Sequence, residues 1–193
     1  MSSGFAQALD PVVGIVLAAG AGTRAGGPKA LRRTTSGVPW LRLAVQRLLD
    51  GGCAEVIVVL GASSATAAAL VPAEATTVVC HRWGDGLSES LRTGIAAVDR
   101  LHPAPVAAAI APVDIPDGNP ATLRRLLPLM NSNCLVRAAF AGRPGHPVLI
   151  GRTHWRPFAE SLAGDSGGAE YLRAHDVTLV DCGDLESGQD VDD

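Results

Sequence analysis

The sequence predicts an α/β protein with a three-layer Rossmann-like fold, in which a mostly parallel sheet is covered by helices on both faces. Two observations carry this prediction. Short apolar runs alternate with segments whose apolar residues recur at helical spacing, as in repeated strand–helix–strand units. The first run, residues 12–19, is continuously apolar, as in a strand buried on both faces. Because 47% of the 193 residues are hydrophobic, the chain can bury a core, and we expect a loose tail over residues 1–10 and a single domain over residues 11–193.

Seven apolar runs are predicted as strands because turn residues or polar residues bound them and their lengths are typical of strands. In chain order they cover residues 12–19, 55–60, 76–80, 106–113, 134–140, 147–150 and 177–182. We place a glycine- and proline-rich turn, beginning at Gly142, between the fifth and sixth runs.

Helical spacing of the apolar residues predicts helices over residues 39–49, 64–71, 87–101 and 119–130, and a helical segment over 153–173 that is interrupted near Gly164. Pro39 and Pro120 stand at the starts of two of them, where a backbone N–H is not required. Gly51 ends the first helix, and Ser88 is a candidate N-cap of the third.

Composition excludes several functional classes. A formal net charge of −3 and an aromatic content of 4% argue against a nucleic-acid-binding surface. No segment approaches the roughly 20 apolar residues of a membrane span, and the N-terminal residues do not have the pattern of a signal peptide. The four cysteines, Cys53, Cys80, Cys134 and Cys182, are scattered without metal-site spacing, so we expect buried, reduced thiols and a cytoplasmic protein.

The loop after the first strand carries the strongest functional signal. Glycines at positions 20, 22, 26 and 27 let backbone N–H groups approach a phosphate chain, and Arg24 and Lys29 add positive charge. Lys29 is the only lysine among the 16 lysine and arginine residues. Because ligands of parallel sheets bind beyond the carboxyl ends of the strands, we predict a phosphate site here. The residues that follow the first, fourth and last strands are the first candidates for it.

Two familiar phosphate loops do not fit this segment. A Walker A loop ends in Gly-Lys-Ser/Thr, whereas Lys29 is followed by Ala30. Residues 20–25 loosely satisfy a dinucleotide fingerprint, but Gly-Gly-Pro at 26–28 opposes the helix that this fingerprint requires. Leu60, at the end of the second strand, is followed by glycine rather than by the expected acidic residue. The loop therefore indicates a phosphate site of another kind.

Six short motifs follow one another along nearly the whole chain. They are Leu-Ala-Ala-Gly-Ala-Gly-Thr-Arg with Pro-Lys-Ala-Leu (17–31), Gly-Leu-Ser-Glu-Ser-Leu (86–91), Val-Asp-Ile-Pro (113–116), Gly-Arg-Pro-Gly-His-Pro (142–147), Gly-Asp-Ser-Gly (164–167) and Asp-Val-Asp (190–192). Together they resemble the MobA/MocA-like nucleotidyltransferases of the nucleotide-diphospho-sugar transferase superfamily, which activate sugar phosphates and pterin phosphates. The form Leu-Ala-Ala-Gly resembles the molybdenum cofactor cytidylyltransferase branch, whereas guanylyltransferases usually have Leu-Ala-Gly-Gly.

This resemblance implies the transfer of CMP from CTP to an acceptor phosphate, most specifically that of molybdopterin, with release of pyrophosphate and with Mg²⁺ as cofactor. It implies that Lys29 bridges the phosphates, that Arg24 holds the β- or γ-phosphate, and that Asp114 binds the metal. A second metal carboxylate is expected from Asp192 or Asp190, of which Asp192 is favoured. The acceptor phosphate attacks directly, so no covalent nucleophile is needed, and a molybdoenzyme is a candidate partner.

The resemblance also implies two sets of binding residues. The predicted nucleotide-binding residues are Leu17, Ala18, Ala19, Gly20, Gly22, Thr23, Arg24, Lys29 and Ser88, and the predicted acceptor-binding residues are Ser90, His146 and Asp165. The start of the third helix can bind an anion through its N–H groups, or Ser88 can simply cap it. His146 can line the acceptor pocket or stabilise a turn, and Asp165 can contact the acceptor or cap the following helix.

Three departures from the family pattern bear on the substrate. Val113 stands where the family has glycine, Ala169 stands where it often has arginine, and Asp193 is the last residue where members usually continue into a helix. Two other functions therefore stay open. One is an NAD(P)H-dependent oxidoreductase, as in relatives that reduce the pigment nicotine blue, and the other is a non-catalytic nucleotide-binding partner of a molybdoenzyme.

Overall fold

The seven predicted strands are all present and form one sheet. The computed structural model describes residues 11–23 and 26–190, so the predicted N-terminal tail lies outside the described residues. The strands are β1 Val12–Ala18, β2 Glu55–Leu60, β3 Ala75–Val79, β4 Ala107–Pro112, β5 Leu135–Phe140, β6 Arg143–Gly151 and β7 Thr178–Asp181.

The strand order is β3-β2-β1-β4-β6-β5-β7, and only β6 runs antiparallel to its neighbours among the described strands. Leu17 of β1 is level with Pro112 of β4, so these two parallel strands end at the same edge. Because β6 runs the other way, its first residues lie at that edge as well. The predicted mostly parallel sheet is confirmed.

Six α-helices connect the strands in the described part of the chain. They are α1 Trp40–Asp50, α2 Ser64–Ala68, α3 Leu87–Asp99, α4 Pro120–Leu126, α5 Arg152–Ser161 and α6 Ala169–Ala174. Single 3-10 turns stand at Lys29–Leu31, Trp83–Asp85 and Leu127–Leu129. No described helix combines the length and the apolar character that crossing a membrane requires.

The core consists of two apolar layers, one on each face of the sheet. Alternate β1 residues point to opposite faces, so Val16 packs with α1 and α4 while Ile15 packs with α3, α5 and α6. Leu48 of α1 and Phe158 of α5 are among the large side chains that are almost completely buried. These two layers confirm the predicted three-layer architecture.

Three local predictions were wrong. The stretch beginning at Gly142 is not an extended turn, because only Ala141 and Gly142 have positive φ and β6 is already formed at Arg143. Ser88 is not an N-cap, because Gly86 occupies that position and Ser88 lies inside α3. The α2 helix ends at Ala68 rather than at residue 71.

The cysteine prediction is confirmed. Cys53, Cys80, Cys134 and Cys182 are all buried and unpaired. Burial raises the pKa of the Cys53 thiol to about 12, because an apolar environment disfavours the thiolate. These cysteines fill core positions.

Candidate functional site

A cleft of about 900 Å³ opens at the edge of the sheet where β1 and β4 end. One end is lined by the loop after β1 and by Lys29 and Asp114. The other end is lined by Arg137 of β5 and His146 of β6. We refer to these as the loop end and the far end of the cleft. The position of the cleft agrees with the prediction from parallel-sheet topology for β1 and β4, whereas the residues after the last strand lie elsewhere.

The loop end is closed by a tight backbone contact. The Gly27 N–H donates to the Gly22 carbonyl at 3.0 Å, and Gly22 has a φ of 59°, in the left-handed region. A Cβ atom at position 22 would stand 1.9 Å from the Gly27 carbonyl oxygen. Glycine is therefore required at position 22, both for conformation and for space. The candidates Leu17, Ala18, Ala19, Gly20, Gly22 and Thr23 all line the cleft, and Arg24 lies outside the described residues.

Lys29 and Asp114 meet across the loop end. The Lys29 Nζ atom lies 3.0 Å from the Asp114 Oδ2 atom, and the two side chains are 18% and 19% exposed. The second carboxylate oxygen, Oδ1, is buried and has no hydrogen-bond partner among the described residues. An acceptor atom in this state has lost its water without gaining a donor, which is unfavourable unless a ligand supplies the missing contact.

Arg47 is a functional candidate that the sequence analysis missed. It projects from α1 beneath the segment that carries Asp114, and it donates to the carbonyls of Ile115 at 2.9 Å and Pro112 at 3.5 Å. Burial lowers the pKa of Arg47, and the nearby charges of Glu186 and Asp114 oppose this shift. Arg47 thus fixes the backbone on both sides of Asp114. The signal in the sequence is an arginine on the apolar face of an amphipathic helix.

The start of α3 is already capped by the loop between α5 and α6. The Leu87 N–H donates to Asp165 Oδ1 at 3.1 Å, and the Ser88 N–H donates to the Gly164 carbonyl at 3.0 Å. Gly86 permits this approach, because a Cβ there would lie 2.6 Å from the Gly164 oxygen. These two N–H groups therefore do not point at an anion. Asp165 does act as a cap, but for α3 rather than for the helix that follows it.

The two serines of this motif differ in position. Both Ser88 and Ser90 are buried. Ser90 lines the cleft together with Asp165, whereas Ser88 is not among the cleft residues of the described chain. The predicted acceptor residues Ser90, His146 and Asp165 thus face one cavity, and Ser88 packs behind it.

The far end brings together His146 and Arg137. The Arg137 Nε–H donates to the Gly145 carbonyl at 2.8 Å, next to His146 in the chain. Burial, and secondarily the charge of Arg137, lowers the pKa of His146 to about 4, so its ring is neutral at physiological pH. The His146 Nδ1 atom is buried and has no partner among the described residues. Arg137 was not predicted, because one arginine in a strand reads as a solvated side chain.

Asp190, the C-terminal carboxylate that the structure describes, lies apart from the cleft. Asp190 lines a separate cavity of about 320 Å³ together with Asp117 and Glu186, and Asp192 lies outside the described residues. No group of three histidine, cysteine or carboxylate side chains that could hold a metal ion occurs within residues 11–23 and 26–190. Within the described residues, two carboxylates line the cleft: Asp114, whose Oδ1 atom has no hydrogen-bond partner there, and Asp165, whose Oδ1 atom accepts from the Leu87 N–H.

Comparison with known proteins places the fold and the cleft in a family. The family model of the MobA-like NTP transferase domain matches residues 14–179. The chain belongs to this family. The MobA-like domain thus covers the whole sheet from β1 into β7, and the predicted nucleotidyltransferase class is confirmed at the level of the family.

Individual relatives can be aligned with most of this chain. A protein of Paenarthrobacter nicotinovorans named nicotine blue oxidoreductase is 35% identical over 195 residues, which cover 95% of this chain and 93% of that protein. The crystal structure of Rv0371c from Mycobacterium tuberculosis H37Rv matches with a TM-score of 0.77 and 30% identity, over 95% of this chain and 94% of that one. A second structure of Rv0371c, in complex with manganese, matches with a TM-score of 0.70 and 28% identity over 89% of this chain and 88% of that one.

Proposed function

We propose that this protein transfers CMP from CTP to the phosphate of a small acceptor, molybdopterin, and releases pyrophosphate in a reaction that depends on a divalent cation. The observation that carries the proposal is the Lys29–Asp114 pair at 3.0 Å beside a glycine loop, with the Asp114 Oδ1 atom buried and without a hydrogen-bond partner among the described residues. This arrangement offers one cation and one carboxylate oxygen to a phosphate chain, as nucleotidyl transfer requires.

The reaction joins two anions, so its main demand is compensation of negative charge. A new bond forms between an acceptor phosphate oxygen and the α-phosphorus, and the bond between the α-phosphorus and the bridging oxygen to the β-phosphate breaks. The leaving pyrophosphate gains negative charge in the transition state. The Lys29 ammonium, a compact charge on a flexible stem, can follow that charge as it develops. The backbone N–H groups of the loop after β1 supply further donors.

The residues present fit a divalent cation of the magnesium type. Mg²⁺ and Mn²⁺ prefer oxygen ligands, and Mg²⁺ is commonly held by one or two protein carboxylates, substrate phosphates and water. The buried Oδ1 atom of Asp114 is such an oxygen, and Arg47 holds the backbone that carries it. The cation would neutralise phosphate charge when bound. The manganese complex of Rv0371c supports a divalent cation in this family, and Mg²⁺ is the ion we propose here.

The test is pyrophosphate release from CTP, GTP, ATP and UTP, each with Mg²⁺ or Mn²⁺ and molybdopterin. We expect release with CTP and a loss of about 100-fold or more in Asp114→Asn, which keeps the shape of the side chain but removes its charge. Asp99→Asn, at an exposed carboxylate outside the cleft, is the matched control and should retain the wild-type rate. Absence of pyrophosphate with every nucleotide, or an unchanged rate in Asp114→Asn, would overturn the proposal. CTP binding without turnover would instead favour a non-catalytic nucleotide-binding partner of a molybdoenzyme.

A second candidate is an NAD(P)H-dependent oxidoreductase, and the relative named nicotine blue oxidoreductase is the observation that favours it. The site offers little for a dinucleotide, because β2 ends at Leu60 and is followed by Gly61 and Ala62 rather than by an acidic side chain for the ribose. Stoichiometric binding of NADH or NADPH, measured by fluorescence titration, would reverse the order of the two candidates.

A further inference from the structure

We infer that Arg137 and His146 form a subsite for an anionic oxygen group, a phosphate monoester or a carboxylate, at the far end of the cleft. The identification of this ligand as the acceptor of nucleotidyl transfer rests on the proposed function, whereas the anion subsite itself does not. Arg137 belongs to none of the motifs that carried the family resemblance. It would add a second anion contact, three strands along the sheet from β1, or about 14 Å at ordinary strand spacing.

The sheet register places the Arg137 side chain in the cleft. Val148 of β6 is paired with Arg137 on one side and with Ile110 of β4 on the other, so the three residues form a row across the sheet. Arg137 and Leu135, two positions apart on β5, point to the same face, and Leu135 belongs to the apolar layer there. A guanidinium group therefore stands where the sheet pattern would place an apolar side chain.

No carboxylate among the described residues compensates the charge of Arg137. No ion pair joins Arg137 to an acidic side chain in the part of the chain that the structure describes, and its Nε–H donates to the Gly145 carbonyl. Burial lowers the pKa of Arg137, because these surroundings solvate its charge poorly. An uncompensated, partly buried charge is unfavourable to folding. Its position in a cleft points to an anion that arrives with the ligand.

His146 supplies the second, independent observation. Its Nδ1 atom is buried and has no partner within residues 11–23 and 26–190, and the histidine lines the same cavity as Arg137. A neutral imidazole pairs with such a group without adding a charge, because Nδ1 donates to an anionic oxygen in one tautomer and accepts from a phosphate hydroxyl in the other. One oxygen group placed between the two side chains would satisfy the histidine nitrogen and offset the guanidinium charge at once. The backbone of Ile110 hydrogen-bonds to the ring and opposes the lowering of its pKa, but the Nδ1 atom itself has no partner among the described residues.

The subsite is tested by following the ring nitrogens of His146 by NMR in the full chain, with the signal assigned from His146→Gln. Inorganic phosphate, phenyl phosphate and acetate are the probes, so that phosphate and carboxylate ligands are distinguished. We expect the signal to shift on titration, and the dissociation constant to rise about tenfold or more in Arg137→Leu, because a charge-assisted contact is lost. The dissociation constant of Arg137→Lys should lie between those of the wild type and Arg137→Leu, because lysine keeps the charge but lacks the planar guanidinium group. Arg152→Leu, which removes an exposed arginine outside the cleft, should match the wild type.

Two results would overturn the subsite: a His146 signal that does not move with any probe, or equal dissociation constants in the wild type and Arg137→Leu. Arg137→Leu should fold, because an aliphatic side chain suits this apolar face. If Arg137→Leu does not fold, the dissociation constant of Arg137→Lys decides the test. CTP binding, measured by thermal shift, is a separate readout of the proposed function. An anion response without CTP binding refutes the proposed function alone, and CTP turnover without an anion response refutes the subsite alone.

Discussion

The two ends of the cleft are built in different ways. The loop end comes from one short segment after β1, which is closed by the contact between Gly22 and Gly27, and Asp114 joins it from the segment after β4. The far end takes Arg137 and His146 from two antiparallel strands. A local segment can be recognised from its residues, whereas a site assembled across strands can be recognised only once the strands are paired.

The two ends of the cleft also differ in how their charges are balanced. At the loop end the cation and the carboxylate neutralise each other at 3.0 Å, and one carboxylate oxygen stays available. At the far end an arginine without an ion pair among the described residues stands beside a neutral histidine. The first design suits a phosphate chain together with a divalent cation. The second suits an anion that brings its own charge.

Among the predicted changes, replacement of Lys29 should reduce activity most, and it tests the role of the loop end in binding phosphate. We expect Lys29→Arg to lower kcat/KM for nucleotidyl transfer by about 100-fold, because the planar fork cannot replace a compact ammonium that follows the phosphates. The melting temperature should stay close to that of the wild type, since the charge is preserved. Pyrophosphate release and thermal unfolding measure the two effects, and normal activity in this variant would remove Lys29 from the mechanism.

Gly22→Ala should have the next largest effect. The added methyl group collides with the Gly27 carbonyl, and φ at this position is unfavourable for alanine. We expect the dissociation constant for CTP to rise about tenfold, which corresponds to the strain of one such residue. Gly20→Ala is the matched comparison, because a Cβ there meets nothing within 4 Å, and it should lose less affinity. Equal losses in the two variants would mean that the loop does not need its closed shape.

The pH dependence of stability tests whether His146 is buried and neutral at the far end. Its effect should be smaller than those of Lys29→Arg and Gly22→Ala. The pKa of His146 is about 4 in the folded protein, below its ordinary value of about 6.5, so the unfolded chain binds more protons between these values. Stability should therefore fall as the pH drops from about 6.5 to about 4. Urea unfolding without added metal should show a flatter pH profile for His146→Gln than for the wild type. His81→Gln, at an exposed histidine, should keep the wild-type profile, and a wild-type slope in both variants would contradict the burial of His146.

Sequence patterns predicted the parallel half of the sheet closely. The strand predicted over residues 12–19 ends one residue earlier in the structure, and β2 has the predicted bounds. Both are continuously apolar because helices cover both faces, so the signal is strong. The antiparallel hairpin was predicted less well. Polar and turn-forming residues at the start of β6, such as Pro144 and Gly145, concealed an extended strand at the rim of the cleft.

The candidate site divides in the same way. The sequence located Lys29 and Asp114, because each follows a strand at the carboxyl edge of the sheet. Ser88 was misplaced, because a serine near a helix start resembles a cap whether or not another loop already provides one. Arg47 was missed although it stands on the apolar face of an amphipathic helix, and Arg137 was missed because a lone arginine in a strand resembles a solvated side chain. The functional roles of all the predicted site residues, Arg24, Asp190 and Asp192 included, stay predictions.

The sequence by itself determined the α/β architecture, the glycine loop with its single lysine, and the nucleotidyltransferase family, because periodicity and short motifs are local properties of the chain. Only the tertiary structure decided which side chains share the cleft. It brought Asp114 to Lys29, placed Arg47 beneath the Asp114 segment, turned Asp165 into the cap of α3, and left Arg137 beside His146 without a carboxylate among the described residues. Strand order, register and burial set these contacts, and they arise only when segments distant in the chain pack together.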